Sequence, residues 1–117
     1  MSVTFAAVRK FALSLENVEE GTSYGTPGFR IGGVLFLRFH QDGDSLVVRT
    51  DFEQREELLA ADPASYYITD HYVNYEWILV RVARVHTDAL RDLIRWAHKS
   101  ASAEKRRAPR RKKRASR

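Results

Sequence analysis

The stretch FRIGGVLFLRFHQDGDSLVVRT, residues 29–50, decides the fold. It contains three runs rich in β-branched and aromatic residues, at positions 29–31, 34–40 and 46–50. Gly32-Gly33 separates the first two runs at a spacing typical of a tight hairpin, and Asp42-Gly43-Asp44 separates the second run from the third. The stretch therefore predicts a three-stranded antiparallel meander.

The segments that flank this meander predict two helices. Residues 3–15 carry apolar side chains at helical spacing. The cluster at residues 21–28 is rich in glycine and is expected to end the first helix before the meander. After the meander, Asp51 with Gln54 three residues later has the pattern of a helix N-cap, and this helix is expected to end at Asp62-Pro63.

The rest of the folded part predicts two more strands and a last helix. Residues 66–69 and 77–83 are expected to form strands around an aromatic, polar connection. Thr87 is expected to cap the last helix, whose core-facing stripe is Leu90, Leu93, Ile94 and Ala97. The order α-β-β-β-α-β-β-α predicts an α+β fold, with three helices packed on one face of an antiparallel sheet of about five strands.

The charge of the chain is divided at about residue 98. Residues 99–117 carry ten basic residues and one acidic residue, a net charge of +9, whereas residues 1–98 carry −4. Apolar periodicity ends at Ala101, so we predict one domain over residues 1–98 and a disordered basic tail over residues 99–117. Such a basic run contacts phosphates through counterion release, without reading sequence. The alternative is a tail that only increases solubility. The tail residues expected to contact nucleic acid are Lys105, Arg106, Arg107, Arg110, Arg111, Lys112, Lys113 and Arg114.

Strand alternation predicts a second basic surface on the sheet. Successive side chains of a strand point to opposite faces, so an arginine from each of four strands should lie away from the apolar set. Beside Phe36 and Trp77, these guanidinium groups would suit phosphates and bases. The alternative is a solvated face on which Asp70 or Glu76 pairs with the arginines. The four arginines are Arg30, Arg38, Arg49 and Arg81.

Metal, cofactor and catalytic chemistry are not indicated by the sequence. There is no Cys, and the four His residues form no HExxH or other close pair, so we expect neither a metal nor a cofactor. His71 and Trp77 mark a candidate pocket, in which Asp70 would orient His71. No Ser/His/Asp pattern has supporting context, so we do not expect an enzyme.

Features of targeting and membrane insertion are also missing from the sequence. The first residues lack a basic region followed by an apolar core, and no apolar run approaches the length of a membrane span. We therefore expect a cytoplasmic protein without a membrane partner.

Two blocks of the chain resemble the MmcQ/YjbR family. The first is residues 25–33, GTPGFRIGG, followed by Phe36, and the second is His71-Tyr72 with Asn74 and Trp77. The resemblance covers roughly residues 5–98. It implies a small α+β sandwich of frataxin-like arrangement, and proteins of this family are commonly labelled DNA-binding without a defined catalytic set.

The chain departs from the family pattern at two positions. Val34 stands where the family often has Lys, and Glu76 stands where a basic residue or His often precedes the Trp. Both departures remove positive charge from the body, and the basic tail lies outside the family pattern. We therefore expect non-specific DNA binding carried mainly by the tail. The alternative is a non-enzymatic ligand-binding or protein-interaction module.

Overall fold

The computed structural model describes residues 3–23 and 25–115, with side chains described as far as Lys105. The helices are α1 (Phe5–Leu13), α2 (Phe52–Ala61) and α3 (Thr87–Ala115), and a 3-10 turn covers Asp70–Tyr72. The strands are β1 (Glu19–Ser23), β2 (Thr26–Ile31), β3 (Val34–Phe39), β4 (Ser45–Arg49), β5 (Tyr66–Tyr67) and β6 (Trp77–Arg81). They form one antiparallel sheet in the order β1-β2-β3-β4-β6-β5. The predicted α+β fold is confirmed, with one strand more than expected.

Local side-chain and backbone features set where the central elements begin and turn. The Asp51 side chain accepts a hydrogen bond from the Gln54 backbone N–H at 2.7 Å, as the N-cap pattern predicts. Gly32 and Gly33 join β2 to β3 with φ angles of 54° and 88°, a region that favours glycine. Between β3 and β4, the Asp42 carboxylate accepts from the backbone N–H of Asp44 at 2.8 Å and closes the turn.

The main core lies between the sheet and the helices. Fully buried side chains of the central strands, such as Leu37, Leu46 and Val80, pack with residues of α1 and α3. All four residues of the predicted α3 stripe are buried in this core, as expected. Helix α2 lies beside β5 and β6, with its leucines packed against the same core.

The pairing of β2 with β3 contains a β-bulge. Phe29 pairs with Leu37, whereas the next residue, Arg30, pairs with Leu35, so Phe36 is the extra residue of β3. A bulge changes the direction of the side chains that follow it. Phe36 and Leu37 are therefore both buried in the main core, and Leu35 lines a groove elsewhere. The prediction that Phe36 lies beside the arginines on the opposite face is therefore wrong.

The opposite face of the sheet is partly covered by the segment between β5 and β6. Val47 and Leu79 form a second, smaller core there with Tyr72 of the 3-10 turn, and Tyr67 and Trp77 pack against it. The sheet face that was expected to carry the four arginines is therefore covered in part.

Helix α3 is longer than predicted. It runs to Ala115, whereas the end of apolar periodicity placed its end near Ala101. Ala101 is fully buried, and Glu104 forms an ion pair with Arg49 of β4. Alanine, lysine and arginine favour helix, so a helix already packed on the sheet continues without an apolar stripe. The predicted boundary at residue 98 falls inside this helix. Disorder of the tail stays a prediction, because side chains beyond Lys105 lie outside the described residues.

The two edges of the sheet are the strands β1 and β5. The sequence did not predict β1, whose first four residues are exposed and polar or glycine. It pairs with β2 from Glu19–Arg30 to Ser23–Thr26, so residues 26–28 belong to a strand and not to the expected break. At the other edge, β5 is two residues long and pairs with β6.

Candidate functional site

Arg55 of α2 fixes the segment that covers the second face. Its side chain is 5% exposed, and Nη1 donates to the backbone carbonyls of Tyr72 (2.9 Å) and Tyr75 (2.6 Å). Nη2 donates to the carbonyl of Val73 at 3.1 Å. A guanidinium presents its donors in a rigid fork, so a single side chain holds three carbonyls at once. The backbone of this segment is thereby held on α2.

Arg38 of β3 lies beneath the same segment and is also 5% exposed. Its Nη2 donates to the Tyr72 hydroxyl at 2.5 Å, and its Nη1 donates to the Phe39 carbonyl at 3.1 Å and to Gln41 Oε1 at 3.3 Å. Hydrogen bonds from a charged donor are stronger than neutral ones. Tyr72 is therefore held at its backbone by Arg55 and at its hydroxyl by Arg38.

These contacts shape a groove lined by aromatic rings, with a volume of about 280 Å³. His71, Tyr75 and Trp77 line it together with Tyr72, and Arg38, Leu35 and Val47 complete its lining. The His71 ring lies 4.7 Å from the Tyr72 ring in an edge-to-face contact and 6.2 Å from the Tyr75 ring. Tyr75 is 56% exposed, so most of its side chain remains accessible to a ligand. The structure thus brings the two candidate pocket residues, His71 and Trp77, into one groove.

The groove continues into two neighbouring hollows. On one side, a hollow of about 270 Å³ shares Arg38, His71 and Tyr72 with it and extends to His40. On the other side, a hollow of about 410 Å³ shares Tyr75 and Trp77 with it. This second hollow extends to residues of α3, namely Trp96, Ser100 and Glu104. We call the three connected hollows the aromatic track.

The other predicted sheet arginines have separate environments. Arg49 donates from Nε to Ser100 Oγ at 3.1 Å and pairs with Glu104, both on α3. Arg81 donates to the carbonyls of residues 63 and 64 and lies over the Tyr67 ring, 4.1 Å from its centroid. Arg30 is half-buried on β2, between β1 and β3. The four arginines therefore do not form one surface, although Arg38 and Arg49 both line the track.

At the turn between β3 and β4, Asp42 interacts electrostatically with His40 and Tyr67. Burial acts to raise the pKa of Asp42, but the Asp44 backbone N–H, the nearby His40 and the Tyr67 hydroxyl together hold that pKa below its ordinary value. Burial also raises the pKa of Tyr67. These groups tie the turn to β5, and they lie outside the aromatic track except for His40.

Metal binding and membrane insertion find no support in the described structure. Over residues 3–23 and 25–115, no three His, Cys, Asp or Glu residues are grouped so that they could hold a metal ion. The same part of the chain has no helix with the length and apolar character of a membrane span.

The His71 ring contacts the rings of Tyr72 and Tyr75. Among the described residues it makes no hydrogen bond with Asp70, so the expected orientation of His71 by Asp70 is not observed.

The predicted tail residues are described only at their start. The side chain of Lys105 is exposed, and Lys105 comes directly after Glu104, which pairs with Arg49. It passes close to the β2–β3 turn, since a Cβ added to Gly32 would lie 2.5 Å from Lys105 Cε. The remaining basic side chains predicted to contact nucleic acid lie outside the described residues. They are Arg106, Arg107, Arg110, Arg111, Lys112, Lys113 and Arg114.

Sequence reasoning missed the residues that build the groove. Arg55 lies in a helix of mixed charge, and nothing in its spacing marks it as buried. Tyr75 and Tyr72 were part of an aromatic connection whose path over the sheet has no periodic signal. The available clue was the density of aromatic residues in the two predicted strands and the connection between them, at positions 66, 67, 72, 75 and 77.

Comparisons with known proteins place these features in a wider context. A family model described as YjbR matches residues 13–100, which include the groove and exclude most of the basic segment. The chain is similar in fold to the crystal structure of Deinococcus radiodurans protein DR2400, described with the family-model domain DUF419. That similarity has a TM-score of 0.70 at 24% sequence identity and covers 83% of this chain and 77% of the other. No match was found among curated proteins.

Proposed function

The chain belongs to the YjbR family, and from this premise we propose that it binds nucleic acid without sequence specificity, mainly through its basic C-terminal segment. The observation that carries the proposal is the separation of charge along α3. The buried part of this helix ends at Ala101, and residues 99–117 carry +9 beside a body that carries −4. The body should therefore repel phosphates at long range, and the segment should attract them.

The position of the segment supports this division of roles. Glu104 is paired with Arg49, and the stem of Lys105 lies against the β2–β3 turn, so the start of the segment has a fixed place on the body. The basic run therefore begins at a defined point beside the sheet. The proposal includes a non-enzymatic role and a cytoplasmic location.

A truncation after Lys105 tests the proposal, because it keeps the packed part of α3 and removes eight basic residues. Binding of labelled duplex DNA is measured by fluorescence anisotropy at several salt concentrations. If half of the removed residues contact phosphate, the slope of log affinity against log salt should flatten by roughly four units. The matched control is the full chain with Lys10→Gln and Arg84→Gln, two exposed basic residues of the body. Equal affinity and slope for the truncated protein would overturn the proposal.

The second candidate is a non-enzymatic ligand-binding or protein-interaction module, with the basic segment as a solubilising extension. The groove of about 280 Å³ favours it, because a concave site with several aromatic rings and few polar groups suits a small planar ligand. This candidate predicts that neither the full chain nor the truncated chain binds DNA at low salt.

A further inference from the structure

We infer that the aromatic track stacks the bases of single-stranded nucleic acid, so that the protein prefers single strands over duplexes. This inference rests on the proposed function and adds the class of nucleic acid and the surface that selects it. It uses residues of the body that the basic segment does not supply.

The first argument is continuity. The central hollow shares three residues with one neighbouring hollow and two, Tyr75 and Trp77, with the other. A strand of several nucleotides needs such an extended path, whereas a compact ligand would occupy one hollow. The path reaches Ser100 and Glu104 on α3, directly before the first residue of the basic run, Lys105. A strand that leaves the track at this end therefore meets the segment that attracts its phosphates.

The second argument is the accessibility and fixed position of the rings. Tyr75 is 56% exposed, His71 is exposed, and Trp77 is half-buried, so their rings are accessible from solvent. Arg55 holds the carbonyl of residue 75 at 2.6 Å and thereby fixes the backbone beneath these rings. Bases stack on aromatic faces whatever their identity, which gives affinity without sequence preference. Rings carried on a fixed backbone lose less entropy when a base binds than rings on a mobile segment.

The third argument is that a duplex cannot use these rings. In a duplex the faces of the bases are stacked on one another, whereas a single strand can turn its bases outward onto protein rings. A duplex therefore gains only the phosphate contacts of the basic segment.

Three acidic residues line the described part of the track. Glu104 pairs with Arg49 and Asp51 caps α2, whereas Glu76 does neither. Its charge should weaken binding of any strand that passes it.

The test compares three labelled probes of equal length on the full chain, by anisotropy at fixed salt. The probes are an oligothymidylate, an abasic single strand, which has the same phosphates but no bases, and a duplex. Stacking of one base predicts that the oligothymidylate binds roughly 5- to 150-fold more tightly than the abasic strand. Tyr75→Ala should reduce this difference and leave binding of the abasic strand unchanged. Tyr75→Phe should retain the difference, because stacking needs only the ring.

Leu13→Ala is the control, since Leu13 is an apolar residue that is 37% exposed and lies outside the track. It should leave all three affinities unchanged. Glu76→Gln should tighten binding of both single strands. Circular dichroism and urea unfolding verify that each variant is folded, and the exposure of Tyr75 means that its truncation should leave the fold intact.

The outcomes separate the inference from the proposed function. If the oligothymidylate and the abasic strand bind equally, and truncation after Lys105 weakens both, the inference fails and the proposed function stands. An unchanged preference in Tyr75→Ala also overturns the inference. If no probe binds the full chain at low salt, both fail.

Discussion

Replacement of Arg55 by methionine should both destabilise the protein and loosen the groove. Methionine keeps the apolar stem of the side chain but cannot donate to the carbonyls of Tyr72, Val73 and Tyr75. A buried acceptor left without a donor costs about 1–3 kcal/mol. The hydrogen bonds to Val73 and Tyr75 are only partly buried, so the lower end of this range applies to two of the three.

One term opposes this loss. Arg55 Nε is buried without a hydrogen-bond partner, so its removal relieves about 1 kcal/mol or more of desolvation penalty. The net expectation is a loss of about 2–4 kcal/mol from a free energy of unfolding that for a typical domain is about 5–15 kcal/mol. With a urea dependence of about 2 kcal/mol per molar, the unfolding midpoint should fall by roughly 1–2 M.

Urea unfolding followed by tryptophan fluorescence measures the loss, and amide hydrogen exchange locates it. Exchange at residues 72–77 should rise more than exchange in the central strands, because the anchor acts on this segment first. Glu56→Gln is the matched control, since the Glu56 carboxylate lies 3.9 Å from Arg55 Nε and its side chain is 71% exposed. A loss below about 0.5 kcal/mol in Arg55→Met would refute the anchoring argument, because that is the usual range of surface substitutions. So would unchanged exchange in the segment.

Two further predictions concern the main core and the β3–β4 turn. Leu93 is 4% exposed at the centre of the packed half of α3, so Leu93→Ala should cost about 2–5 kcal/mol in urea unfolding. A cost below about 0.5 kcal/mol would mean that this helix is peripheral. Because the pKa of Asp42 is lower in the folded state than its ordinary value of 3.8, its carboxylate adds stability above that pH, and this stability is lost as the pH falls through the folded value. The difference in stability between the wild type and Asp42→Asn should therefore be present at neutral pH and shrink in acid. A difference that persists unchanged at low pH would contradict this assignment.

The central meander could be predicted because its signals are local. Strands β3 and β4 contain regular apolar runs, the turn glycines adopt positive φ angles, and the cap of α2 depends on residues three positions apart. Strand β1 could not be predicted in the same way. Its exposed residues lack apolar alternation. The strand forms because it pairs with the edge of β2, which is a non-local cause.

The candidate site also depends on non-local contacts that local sequence signals do not indicate. The bulge at Phe36 places the Phe36 ring in the core and leaves Leu35 outside it. No sequence signal at this position indicates an extra residue in the strand pairing. The covering of the second face depends on Arg55 meeting carbonyls 17 to 20 positions away. Periodicity treats each strand separately, so it predicted that the four arginines share one face and gave no sign of this cover. His71 and Trp77 could be singled out from sequence, but their neighbours in the groove could not.

The form of the two sheet edges bears on how the protein behaves at high concentration. An edge strand exposes unpaired backbone groups that can recruit a strand from another molecule, and charged residues or a very short edge oppose this. Here β1 begins with two exposed glutamates, of which Glu20 is paired with Arg9 at 2.8 Å, and β5 ends the other side after two residues. Each edge is therefore a poor template for growth of the sheet between molecules. Neutral, β-branched replacements of Glu19 and Glu20 would create the template that the natural sequence lacks, and would favour aggregation without altering a single core contact.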